Sequence, residues 1–289
     1  MQNVFFRGVC TALVTPFLDD KVNYPMLNRL LKRQMDAGIH AIVICGTTGE
    51  SPTLSDEEKI ELFTRSKEFV KDQCLIIAGT GSNCTEHAVR LSIAAEKAGA
   101  DGLLVVSPYY NKGTADGLYG HFASIAEAVH IPVILYNVPS RTGHDLPVSL
   151  YKRLSQIPKI IGVKEASTDV VKVAKIRANC PKNFTVWSGN DDQAVAAVAL
   201  GAEGVISVLS NVAPKETKSM VLAALAGDLD TAAGLNVQLL PLMELLFCDV
   251  NPVPVKEAMK IIGFDCGTCR LPLGTLSPEN QKRLESYFR

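Results

Sequence analysis

The chain has 289 residues, 47% of them hydrophobic, and a formal net charge of −1. That length allows one large α/β domain or two small ones, with a substantial buried core in either case. Near-neutral charge without a basic cluster argues against nucleic acid or an anionic membrane as partner, and no uninterrupted apolar stretch is long enough to span a bilayer.

The start, Met1-Gln2-Asn3-Val4-Phe5-Phe6-Arg7, lacks the charged region, long apolar core and small-residue cleavage site of a secretory signal. Apolar, strand-like runs then recur at Gly8–Val14, Ala41–Cys45, Leu75–Ala78, Gly102–Val106, Pro132–Tyr136, Ile160–Lys164, Phe184–Trp187 and Gly204–Val208. Between them Asn28–Ala37, Ser55–Val70, Glu86–Ala98 and Leu118–Val129 carry helical periodicity. Ser55-Asp56-Glu57-Glu58 offers a serine cap and acidic residues in the first turn of its helix. Ala37-Gly38, Ala98-Gly99 and Leu200-Gly201 each supply a glycine that ends a helix just before the next strand.

Eight β-then-α units predict a (β/α)8 TIM barrel over residues 1–227. The doubly wound rival normally carries a glycine-rich phosphate loop after its first strand, and Thr11-Ala12-Leu13-Val14-Thr15-Pro16 has none. Residues 228–289 predict about three more helices, the middle one starting at Asn251-Pro252-Val253-Pro254, as an extension packed on the barrel. Of the eight cysteines, Cys10, Cys45 and Cys74 sit in apolar segments as small core residues, and the set suits a reducing cytoplasm. Cys266 and Cys269 form a C-x-x-C without a second pair or nearby histidines, a weak metal or redox signal.

Barrel enzymes build their sites from the loops after the strands. Lys164 closes the sixth run, where a lysine has no packing role. Buried amines give up their proton more readily than exposed ones, and a neutral amine attacks a carbonyl to form a Schiff base. The plainer alternative is an ion pair with Glu165. Tyr136, at the end of the neighbouring run, is either a core tyrosine with one hydrogen-bond partner or a proton shuttle beside the lysine. Gly46-Thr47-Thr48-Gly49 is either a tight strand-to-helix turn or a cradle for a carboxylate; no Gly-Lys-Ser/Thr follows, so it is not a P-loop. Gly79-Thr80-Gly81 reads as an aid to packing the next helix. Arg141 is a surface ion-pairing residue or a bidentate grip on a substrate carboxylate. The five histidines show no paired metal-ligand spacing.

As a set, Gly46-Thr47-Thr48-Gly49-Glu50-Ser51, Pro108-Tyr109-Tyr110-Asn111, Tyr136-Asn137-Val138-Pro139-Ser140-Arg141-Thr142-Gly143 and Gly162-Val163-Lys164-Glu165-Ala166 resemble the dihydrodipicolinate synthase (4-hydroxy-tetrahydrodipicolinate synthase) family over essentially the full chain. The resemblance implies a homotetrameric Schiff-base lyase of lysine and diaminopimelate synthesis that condenses pyruvate with L-aspartate 4-semialdehyde, without metal or organic cofactor. It implies an imine on Lys164, the pyruvate carboxylate on Thr48 and nearby amides, and proton relay by Tyr136 through Thr47 to Tyr110, which reaches into a neighbouring subunit. Gly189 and Ile206 would shape the pyruvate pocket, and Arg141 would hold the semialdehyde carboxylate. Sugar-acid aldolases of the same superfamily share the lysine and tyrosine but generally lack that arginine. A barrel that has lost catalysis is the remaining alternative, and the presence of Thr47, Tyr110, Tyr136 and Lys164 together stands against it.

Lysine-inhibited members of the family place an effector site at positions matching Ser51, Lys59, Asn83, His87 and Tyr109. There the Lys59 position commonly carries histidine, and the His87 position a glutamate that receives an ammonium group. Here one replacement adds a cation and the other removes an anion. Like charges about 4 Å apart repel by about 4 kcal/mol at an effective dielectric of about 20, so the sequence predicts insensitivity to millimolar L-lysine.

Overall fold

A computed structural model describes residues 4–289; Met1, Gln2 and Asn3, the first part of the segment without signal-like features, lie outside the described residues. Eight parallel strands close into a barrel: β1 Gly8–Ala12, β2 Ala41–Ile44, β3 Leu75–Gly79, β4 Gly102–Val106, β5 Val133–Asn137, β6 Ile160–Glu165, β7 Thr185–Ser188 and β8 Gly204–Ser207. β8 returns to β1 in the register Gly8↔Gly204 to Thr11↔Ser207. Each expected run forms its strand, with ends shifted by no more than two residues. Their near-continuous apolar character follows from burial on both faces. One face meets the surrounding helices, and the other fills the barrel with Val43, Ile77, Leu104, Ile134, Trp187 and Ile206 among others.

The four anticipated helices run Tyr24–Asp36, Asp56–Val70, Thr85–Lys97 and Ala115–Ala128. At the second, the Ser55 hydroxyl accepts from the Glu58 amide at 3.2 Å while the Glu58 carboxylate accepts from the Ser55 amide at 3.0 Å, a reciprocal cap. Two short elements carry no periodic signal. Phe17–Leu18 pairs antiparallel with Lys21–Val22 across Asp19 and Asp20, both left-handed at φ 49° and 60°, and Pro139–Thr142 makes a single helical turn after β5. Among the described residues no helix is long and apolar enough to cross a membrane.

The C-terminal helices are Leu229–Leu245, Val253–Ile261 and Pro278–Tyr287. Val255, Ala258, Met259 and Leu284 join the same apolar cluster as the barrel's helix-facing residues, so the tail and barrel share one core. A buried ion pair adds to that bond. Lys256 Nζ lies 2.8 Å from Glu50 Oε1, with 3% and 0% of the two side chains exposed, and packs 4.4 Å from the centre of the Phe17 ring. The Arg270 amide donates to the other Glu50 oxygen at 2.9 Å. Glu50 itself is left-handed, φ 57°, so the turn after β2 is held in a strained conformation by contacts from the far end of the chain. Lys256→Ala leaves Glu50 buried without its cation and is expected to cost about 3–5 kcal/mol in urea unfolding. Removing exposed Lys32 from its pair with Asp36 is expected to cost under about 1 kcal/mol; equal losses would show that Glu50 finds another partner.

Candidate active site

β5 and β6 pair with Tyr136 directly beside Lys164, and Trp187 of β7 follows on the other side. Side chains alternate across a strand, so Tyr136, Lys164 and Trp187 enter the barrel together. Lys164 Nζ lies 4.4 Å from the Tyr136 ring centre, and only 5% of the lysine is exposed. The floor beneath is aromatic: Trp187 stacks on Phe6 at 4.7 Å between ring centres and donates its indole N–H to the Phe6 carbonyl at 3.2 Å. Ile206 is fully buried in the same interior cluster. Gly189 lies against the lysine stem, where a Cβ would come within 3.0 Å of Lys164 Cε and 2.5 Å of Ala166 Cβ.

Glu165 does not pair with Lys164. It faces the helices, where its carboxylate accepts from Asn137 Nδ2 at 2.8 Å, the Ser167 amide at 2.9 Å and the Tyr151 hydroxyl at 3.0 Å. Lys172 supplies the countercharge at 3.5 Å, and Asp145 binds both Lys172 and Asn137. Burial, together with the Glu165 charge and hydrogen bond, pushes the Tyr151 hydroxyl well above the usual phenol range, so Tyr151 remains a donor. No carboxylate lies within ion-pair distance of Lys164 among the described residues. Asp191, after β7, accepts the Val208 and Leu209 amides at 2.9 Å each, and burial pushes its carboxyl up from the usual range.

In the turn after β2, the amides of Gly49, Glu50 and Ser51 are spent inside the turn on the Gly46 and Thr47 carbonyls. The amides of Thr47 and Thr48 have no acceptor among the described residues. Thr48 is buried, and its Oγ1 accepts from Asn251 Nδ2 at 3.0 Å. Arg141, in the turn Pro139–Thr142, donates from Nη2 to the Asn251 carbonyl at 3.1 Å and has no carboxylate in ion-pair range among the described residues, so it is not a surface ion-pairing residue. The glycines at the end of β3 and just beyond it serve neighbouring backbone more than the next helix. A Cβ on Gly79 would meet the Cys45 carbonyl at 2.2 Å, and one on Gly81 the Val106 amide at 2.3 Å, while only Thr80 reaches the helix, through Ser92.

A cavity of about 260 Å³ opens at this end of the barrel, lined by Thr47, Tyr136 and Arg141 and continuing to Ser51, Lys59, His87 and Tyr109. Lys164, Thr48, Gly189 and Ile206 lie outside its lining, as does Asn83, whose carbonyl accepts from Asn111. Tyr110 stands apart from the other site residues, 91% exposed and left-handed at φ 69°. Beside the cavity, Asp56, from the first turn of its helix, bridges His87 at 2.9 Å and Lys59 at 3.7 Å and adds a carboxylate that the effector-site motif does not include. Partial burial works against the Asp56 charge, but the hydrogen bond and charge of His87 and the charge of Lys59 hold its carboxyl below the usual range. Cys266 is buried with its thiol on the Phe264 carbonyl, burial holds both C-x-x-C thiols up at about 12, and no group of three potential ligands sits together among the described residues. Such thiols are poor redox nucleophiles.

The model of the Dihydrodipicolinate synthetase family matches residues 5–289. The chain belongs to this family. A 4-hydroxy-tetrahydrodipicolinate synthase of Acetivibrio thermocellus is 46% identical over 289 residues, covering 100% of this chain and 98% of that one. Among solved structures of dihydrodipicolinate synthases, the chloride-inhibited enzyme of Acinetobacter baumannii in complex with pyruvate is similar at TM-score 0.95 and 41% identity, covering 97% of each chain. The Cyanidioschyzon merolae enzyme with lysine bound is similar at TM-score 0.95 and 37% identity, covering 98% of this chain and 97% of that one. Within the family frame, Asn251, Asp56 and the Trp187–Phe6 floor are additions to what the motifs singled out. The only sequence signal for Asn251 is its place before the prolines of the 251–254 joint.

Proposed function

We propose that this family member condenses pyruvate with L-aspartate 4-semialdehyde through a Schiff base on Lys164, in lysine and diaminopimelate synthesis. The observation that carries the reading is the Tyr136–Lys164 pair at the end of β5 and β6, buried, side by side, and free of a carboxylate partner for the amine among the described residues. The Lys164 amine adds to the pyruvate ketone through its nitrogen lone pair, and water leaves to give the imine. The imine nitrogen then draws electrons, so the pyruvate methyl loses a proton and becomes an enamine carbon. That carbon bonds to the semialdehyde carbonyl, whose oxygen takes a proton. Attack of the product's own amine on the imine carbon closes the ring and expels Lys164. Tyr136 carries the protons as general acid and base, linked through Thr47, with Tyr110 supplied by a second subunit. The Tyr110 exposure supports that pairing of two subunits, and the family resemblance extends it to a dimer-of-dimers homotetramer. Thr48 and the free amides of Thr47 and Thr48 hold the pyruvate carboxylate, Gly189 and Ile206 bound its pocket, and Arg141 takes the semialdehyde carboxylate. Free thiols at all eight cysteines support a cytoplasmic setting.

Incubation with pyruvate and borohydride, followed by mass spectrometry, is expected to yield a reduced adduct on Lys164 and none in Lys164→Ala. An adduct on another lysine would sink the assignment. Tyr136→Phe is expected to keep pyruvate binding while turnover falls by about 10²–10⁴-fold.

Arg141→Ala is expected to weaken semialdehyde use by about 1.5–3 kcal/mol, as read from kcat/KM, with little effect on pyruvate. Equal damage to both substrates would mean that Arg141 only shapes the turn.

For the crevice of Ser51, Lys59, His87 and Tyr109, with Asn83 outside its lining, we propose no inhibition by millimolar L-lysine. Its one added carboxylate, Asp56, is already engaged by His87 and Lys59, so an incoming ammonium competes with both for it. A steady-state assay at saturating substrates decides this: half-inhibition below about 1 mM, an affinity worth about 4 kcal/mol, would show that the crevice still accepts lysine.

A further inference from the structure

We infer that Asn251 is a positioning residue that fixes the Thr48 hydroxyl as a donor to the pyruvate carboxylate, so that the C-terminal helices set affinity for the first substrate. The inference rests on the proposed function. A threonine hydroxyl has one hydrogen to donate and two lone pairs that accept. Asn251 Nδ2, 3.0 Å from Thr48 Oγ1, can only donate, so it occupies a lone pair and leaves the hydroxyl hydrogen free. That hydrogen has no acceptor among the described residues. The reverse orientation of the Asn251 amide would make Thr48 donate to protein. It is disfavoured because Asn251 Oδ1 is buried without a partner: turned over, the amide would place its NH₂ there, and buried unmatched N–H groups are rarer than unmatched carbonyl oxygens. With the unspent amides of Thr47 and Thr48, the turn offers three donors on two consecutive residues, the pattern that holds a carboxylate.

Asn251 is itself well held. It is 5% exposed, sits between the helices Leu229–Leu245 and Val253–Ile261, and is followed five residues later by Lys256, which is locked to Glu50 of the same turn. Its two polar parts serve different substrates. The side chain reaches Thr48, whereas the backbone carbonyl receives Arg141 at 3.1 Å. Replacing the side chain therefore removes the first contact and keeps the second.

The test uses the full chain and its Asn251→Ala, Asn251→Asp, Thr48→Val and Thr48→Val/Asn251→Ala variants. Borohydride trapping is titrated against pyruvate, and steady-state constants are measured for both substrates. Asn251→Ala is expected to raise half-saturating pyruvate about fivefold, the worth of one neutral hydrogen bond. Asn251→Asp is expected to raise it further, because a carboxylate there accepts the Thr48 hydroxyl hydrogen bond and sets a negative charge beside that of pyruvate. The limiting rate and the semialdehyde KM are expected to stay within about twofold. In the Thr48→Val background, Asn251→Ala is expected to add no further shift, since its partner is already gone. An additive shift, an equal rise in both KM values, or unshifted half-saturation would each overturn the inference. The first two mark a loosened tail, and the last an idle contact. Absence of the Lys164 adduct in the unsubstituted chain overturns the proposed reaction and this inference with it, whereas an adduct with unshifted half-saturation overturns the inference alone.

Discussion

The separation of Lys164 from Glu165 governs the site. The two are adjacent in sequence and opposite in charge, and in a flexible loop they would meet. On a strand they cannot, because consecutive side chains leave opposite faces of the sheet. The outer face holds Glu165 in place with donors from three elements, Asn137 of β5, Tyr151 of the helix Val148–Leu154 and Lys172 of the helix Val171–Asn179. Those contacts satisfy a buried carboxylate that would otherwise cost several kcal/mol. They also fix the end of β6, and so the height at which Lys164 enters the barrel. Asn137 applies the same logic to β5: its side chain ties Glu165 to Asp145 outside the barrel while its neighbour Tyr136 faces Lys164 within.

Much of this was legible in the sequence because it is local. Eight apolar runs, helix-ending glycines and the Ser55–Glu58 cap are patterns spanning a few residues, and they placed the strands to within two residues. The place of Lys164 and Tyr136 at the ends of neighbouring runs also pointed them toward one shared site. What stayed hidden is long-range or short. Glu50 and Lys256 are 206 residues apart, and Asn251 and Thr48 are 203 apart, so neither pairing leaves a local trace. The Phe17–Leu18 ribbon is two residues per strand and turns through two aspartates with no glycine to mark it. Asp56 looked like part of a helix cap, as its position in the first turn implies, and only the fold brings His87 of another helix onto its carboxylate.

These hidden pairings share a theme. The turn after β2 is left-handed at Cys45 (φ 57°) and at Glu50 (φ 57°), a conformation that L-residues adopt at a cost. A turn of that kind relaxes unless its surroundings hold it. Here they do so at three levels: Thr15 donates to the Gly49 carbonyl at 2.7 Å, Lys256 and the Arg270 amide grip Glu50, and Asn251 reaches Thr48. All but the first come from the C-terminal helices and the loops that join them. The barrel thus supplies the amine and tyrosine, and the tail supplies the rigidity of the turn that faces them.

That division also explains why the tail shares a core with the barrel. A flexible attachment would leave Glu50 unpaired in an apolar environment for part of the time, and the Thr48 hydroxyl would then be free to rotate toward other acceptors. Burying Val255, Ala258 and Met259 in the common cluster makes detachment cost the apolar contact area as well as the ion pair. A rigid turn has its amides aligned before a carboxylate arrives, so binding spends little on ordering it. The same rigidity makes the turn sensitive to residues far from it in sequence, which is how a contact at Asn251 comes to bear on a hydroxyl at Thr48.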